Sequence, residues 1–111
     1  MANFYKNAFF PGTTTATVSL YTAPSNARGI IQNIQITNES GSKIVKVSVT
    51  DSSASTDYQI AYMNIIGATI CNVAKAPIIL ESGDILKIES SVTSGISAIV
   101  SYLEIFDEKS A

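Results

Sequence analysis

One core is what 111 residues can build, and a chain of that length buries roughly two-thirds of its unfolded surface without disulfide or metal staples. With 46% apolar and 14% charged residues it is no disordered chain, and a net charge of −2 supplies no basic field for nucleic acid or anionic lipid. The absence of His removes imidazole as base, proton shuttle or zinc ligand, and a single Cys removes any intrachain disulfide or thiolate cluster.

Sixteen Ile and seven Val against four Leu, with twenty-five Ser and Thr, make up a strand-forming composition. The first ten residues hold four of the nine aromatics, Phe4, Tyr5, Phe9 and Phe10, before the breaker pair Pro11-Gly12. They do not alternate cleanly, so residues 1–14 read as an extended N-terminal arm. Such a cluster has to pack somewhere. Two destinations stay open: its own domain, or a neighbouring subunit.

From Thr15 the chain breaks into short strands with turns every eight to twelve residues, the spacing of a sandwich or barrel. Ala16, Val18 and Leu20 form one face of a first strand ending near Thr22. Ile30 to Asn38 is the next, with Gln32 interrupting an Ile face, which predicts a bulge near Ile31. Val45, Val47 and Val49 alternate with Ile44, Lys46 and Ser48, the clearest period-two run. The Gly-containing connection 39–43 predicts that these two strands pair as an antiparallel hairpin. Val45, Val47, Val49, Ile34 and Ile36 should then share the core.

Tyr58, Ile60 and Tyr62 open a further strand, followed after Gly67 by Ala68 to Val73. Pro77 to Leu80 is short and leads into the turn Glu81-Ser-Gly-Asp84. Ile85 to Glu89 continues with Leu86 and Ile88 on one face. Ile96 to Phe106 is the longest strand. Val100 and Tyr102 lie on one of its faces and Ile99, Leu103 and Ile105 on the other, so it should be covered on both sides. Residues 15–106 are thus one β-sandwich domain, and residues 107–111 a polar tail.

Residues that could carry chemistry are few. Cys71 lies in a strand-like run without a neighbouring base and reads as a small core hydrophobe. Asp51 and Asp57 flank a Ser-rich loop but lack EF-hand spacing, and a solvated loop explains them. Glu81 and Asp84 share one tight turn, where two acids do not face each other across a substrate. Tyr58 and Tyr62, placed on one face by their spacing, suit either core packing or a sugar platform. No catalytic, cofactor-binding or metal-binding residue is expected, and no cofactor. No stretch approaches the ~20 apolar residues of a membrane span, and the N-terminus holds no signal-peptide core. The expectation is a soluble product of a host cytoplasm.

Three segments together carry a resemblance: Tyr21-Thr-Ala-Pro-Ser with the Ile-rich strand and Thr37-Asn-Glu-Ser-Gly-Ser; Ile79-Leu-Glu-Ser-Gly-Asp-Ile-Leu-Lys-Ile; and Ala98-Ile-Val-Ser-Tyr-Leu-Glu-Ile. In this order they resemble small virion structural proteins of tailed bacteriophages, cyanophages included, over Thr15 to Ile105. The resemblance implies an all-β fold, a single antiparallel jelly-roll-like sandwich of about eight strands. It also implies a non-enzymatic role on the virion surface, foremost as a capsid decoration protein on the head. The alternative is a neck, tail or fibre module, with carbohydrate binding as one form of it. The implied partners are further copies of the chain, by analogy a trimer, and virion proteins such as the major capsid protein. Neither nucleic acid nor membrane is among them. Phe4, Tyr5, Phe9, Phe10, Ile99, Leu103 and Ile105 are the candidate oligomer or lattice contacts. Deleting residues 1–10 should leave the sandwich folded while weakening assembly or particle binding.

Overall fold

β-Branched residues at alternate positions give each segment one apolar face, and two such faces close on one another. The computed structural model describes residues 3–73 and 76–106, and there contains nine strands and no helix. They are β1 (Asn3–Phe10), β2 (Val18–Thr22), β3 (Ala27–Asn38), β4 (Ser42–Asp51), β5 (Thr56–Ile66), β6 (Thr69–Asn72), β7 (Ile78–Leu80), β8 (Ile85–Ser90) and β9 (Ile96–Phe106).

One sheet runs β1-β9-β3, with β6 and β7 in tandem along the far edge of β3; the other runs β2-β8-β4-β5. All pairings are antiparallel. The chain changes sheets at every connection except β4–β5 and β6–β7, the winding of a jelly roll. Because β6 and β7 share one position, nine strands fill the eight places of that fold.

Ile31, Ile34, Ile36, Val100 and Phe10 from one sheet meet Val45, Val47, Leu86 and Ile88 from the other, all fully buried. Val49 joins them half-buried. The core residues expected from alternation are therefore together, but not through the expected hairpin. β3 pairs with β9, β6 and β7, while β4 pairs with β5 and β8. The connection 39–41 crosses between sheets, so β3 and β4 face each other across the core. Alternation fixes which side a strand buries; it does not distinguish a partner beside the strand from one opposite it.

Asn38 anchors that crossing. Its buried amide donates to the carbonyls of Gly41, Ile65 and Gly67 at 2.8, 3.2 and 3.0 Å, and its Oδ1 accepts from Lys43 Nζ at 2.8 Å. One side chain ties the β3–β4 crossing to the β5–β6 turn. The bulge expected near Ile31 falls at Gln32, where the register with β9 shifts.

The N-terminal segment differs most from expectation. Residues 3–10 are strand β1, in register with β9 from Asn3↔Ile105 to Phe10↔Ala98. The aromatics obscure the alternation because Phe10 and Phe4 face inward while Tyr5 and Phe9 face outward. Phe10 fills the core, and Phe4 packs edge-on against Phe106 at 5.9 Å. The tail 107–111 lies outside the described residues.

Candidate assembly surface

The register of β1, β9, β3 and β7 builds the outer face of the first sheet in rows. One row reads Tyr5, Leu103, Ile30, Ile79 across four strands. Four residues along, a second row reads Phe9, Ile99, Gln35, Asn72. Between them lies a polar row of Asn7, Ser101 and Asn33. Ile105, opposite Asn3 and Arg28, and Ile70, opposite Thr37, flank the face at its ends.

Tyr5 is 80% exposed, Phe9 65%, Ile79 64% and Ile70 59%. Leu103, Ile99, Ile105 and Ile30 are half-buried among their neighbours. The Gln32 bulge opens a depression lined by Tyr5, Lys6, Asn7, Gln32, Ser101 and Tyr102, and a second lies beside Phe9, Gln35 and Ile99. Of the candidate contacts, the structure gathers Tyr5, Phe9, Ile99, Leu103 and Ile105 on this one face. Phe4 sits on the inner side at the open end of the sandwich, half-exposed, and Phe10 is unavailable to any partner. Ile70 and Ile79 escape sequence reasoning because only the register of β6 and β7 on β3 brings them here, and Ile30 because the bulge at Gln32 turns it away from the face of Ile34 and Ile36.

Across the described strands this face carries one charged side chain, Arg28, at its end. The outer face of the other sheet is different. Glu89, Lys46 and Tyr62 form one row, and Lys46 Nζ lies 5.4 Å from the Tyr62 ring centroid. Lys87 meets Asp57 at 3.2 Å. The Thr50 hydroxyl at 2.6 Å, and then Lys87, hold the Asp57 carboxyl below its ordinary range. A bulge at Ile60 places Tyr62 and Tyr58 on opposite faces, so they form no joint platform.

The remaining polar candidates are engaged locally. Asp51 accepts from the Ser53 hydroxyl and backbone N–H at 2.7 and 3.0 Å, which hold its carboxyl below the ordinary range. Asp84 accepts from the Ser52 and Glu81 N–H groups, both at 3.0 Å, and pins the β7–β8 turn to the β4–β5 loop. Cys71 is half-buried with its Sγ 3.4 Å from Met63 Sδ. Among the described residues no three His, Cys, Asp or Glu side chains gather as a metal site would require.

One buried carboxylate was not anticipated from sequence. Glu104, on the inner side of β9, accepts from the Tyr21 hydroxyl at 2.9 Å and pairs with Lys6 Nζ at 2.9 Å. Burial, and then the hydrogen bond to Glu104, push the Tyr21 hydroxyl well above its usual pKa. The Tyr102 ring lies against Tyr21 at 4.0 Å. The group joins β1, β2 and β9 at one end of the sandwich. Each of its partners contributes to packing.

No protein-family model and no curated protein matches the sequence. Among solved structures, the chain is similar to one in the cryo-EM structure of a virus-like particle of the giant freshwater prawn Macrobrachium rosenbergii extra small virus. The TM-score is 0.31 and the identity 16%, over 99% of this chain and 82% of that one. A likeness that distant carries no argument about function.

Proposed function

We propose that the protein is a non-enzymatic structural component of a virion, which assembles through the outer face of the β1-β9-β3 sheet. The observation that carries this reading is the contrast between the two outer faces. One sets Lys46, Glu89, Lys87 and Asp57 among its exposed apolar side chains; the other is nearly chargeless, crossed by the apolar row from Tyr5 to Ile79 and by a second row led by Phe9 and Ile99. Charge depletion around exposed aromatics marks the core of a protein interface, and a monomer seldom leaves such a patch in water. The jelly-roll winding and the resemblance to tailed-phage virion proteins support the finer form of the proposal. In that form the chain decorates the outer surface of a phage head and contacts the major capsid protein.

Immunogold labelling of purified particles tests it. Gold spaced over the head supports decoration, and gold confined to neck, tail or fibres supports the alternative placement. Particles that carry no label, from cells that make the protein, would overturn the structural reading altogether.

A further inference from the structure

The polar groups between the apolar rows say more about what sits on this face. Asn7, Asn33 and Ser101 between the rows, Gln35 within the second row, and Thr37 and Ser97 just beyond it each carry both a hydrogen-bond donor and an acceptor. A surface that meets its own copy across a two-fold axis places the groups on the axis against themselves and every other group against the one at the mirrored position. Lys or Asp there would meet its like, whereas an amide or hydroxyl pairs with its own kind. On β1 and β9 the apolar side chains lie two residues to either side of the polar row, Tyr5 and Phe9 about Asn7, and Leu103 and Ile99 about Ser101; on β3 the bulge sets Ile30 three residues from Asn33, and Gln35 takes the other side. Ser101 is near the midpoint of β9, flanked by Asn7 and Asn33 on the neighbouring strands.

We infer that the occupant of this face is a second copy of the chain, packed sheet on sheet about a two-fold axis passing over Ser101. This deepens the reading of the face as an assembly surface and rests on it. Strands about 4.8 Å apart and residues about 3.3 Å along them give the face a footprint on the order of 500 Å². Side-chain relief raises the buried area toward the roughly 600 Å² per partner of the smaller specific interfaces. That is sufficient for a dimer of modest affinity without burying a charge at its centre. Tyr5 and Phe9 are the projecting rings, and the depressions beside each row receive them. The Tyr58, Ile60, Tyr62 and Ile66 side chains on β5 remain free for other contacts.

The experiment is sedimentation equilibrium of the full chain over a wide concentration range, with Ser101→Asp, Ser101→Lys and their equimolar mixture. The wild type should move from monomer to dimer. Each charged variant alone should stay monomeric by at least a tenfold shift in dissociation constant, and the mixture should recover a dimer. Unchanged melting in dilute solution confirms that the variants fold; if they do not, Tyr5→Ser with Phe9→Ser replaces them and should dissociate the pair. A wild type that stays monomeric, forms a trimer, or dimerises indifferently to these changes would overturn the two-fold pairing. None of those results touches particle labelling, so the pairing and the virion role fail separately.

Discussion

Gly29 shows how one missing side chain permits a buried polar group. Its φ is not in the left-handed region; what it supplies is space, since a Cβ there would lie 2.4 Å from the Tyr21 ring and 2.7 Å from its hydroxyl. Gly29→Ala should therefore push Tyr21 off Glu104 and cost about 1–3 kcal/mol by overpacking, read from urea unfolding. An unchanged midpoint would mean that Tyr21 has room the structure does not show. Lys6, on the other side of the same carboxylate, has a pH signature. The Glu104 hydrogen bond, and then its charge, raise the ammonium pKa above the ordinary 10.5. The stability it adds is fully present below that ordinary value and fades as pH rises through the raised one. Wild type should outlast Lys6→Met in urea at about pH 8, and the gap should narrow toward about pH 12. A gap independent of pH would separate the effect of Lys6 from its charge.

At the scale of strands, what was legible in the sequence was the side each strand buries, and what was hidden was its neighbour. Val45 and Val47, Leu86 and Ile88, and the two-faced β9 all follow from a period of two. The pairing of β1 with β9 spans nearly the whole chain, and no local signal announces it. The assembly face was half legible for the same reason. Leu103, Ile99 and Ile105 stand out on β9, while Ile30, Ile70 and Ile79 join them only through register. Recognising β1 as a strand reverses one expectation. Deleting residues 1–10 removes Phe10 from the core and exposes an edge of β9, so the truncated chain should lose its cooperative melt. Phe10→Ala alone should cost about 3–5 kcal/mol and Val47→Ala about 1–3 kcal/mol. A truncated protein that melts like the full one would restore the arm.

The whole molecule is wired almost entirely by distant pairings. Asn3 meets Ile105, Val18 meets Ile88 and Ala27 meets Phe106, whereas β4 and β5 form the one long hairpin between consecutive strands. Each distant pairing requires loop closure before any contact rewards it, which places the chain among slow folders, in the range of about milliseconds to seconds. The β4–β5 hairpin has the least closure entropy to overcome; β8 can pair along the free edge of β4, and Val45 and Val47 offer an apolar face on which β3 can condense. Strand β1 adds last, because its partner β9 is the last of the described strands and its own inner residues have no core to enter until the two sheets meet. Stopped-flow refolding should then separate two substitutions that both remove core volume. Val47→Ala should slow folding, with most of its destabilisation in the folding arm; Phe10→Ala should leave folding nearly unchanged and accelerate unfolding. Equal partition in both variants would mean that the sheets close together around a nucleus containing β1. Refolding in microseconds would contradict the topology argument itself.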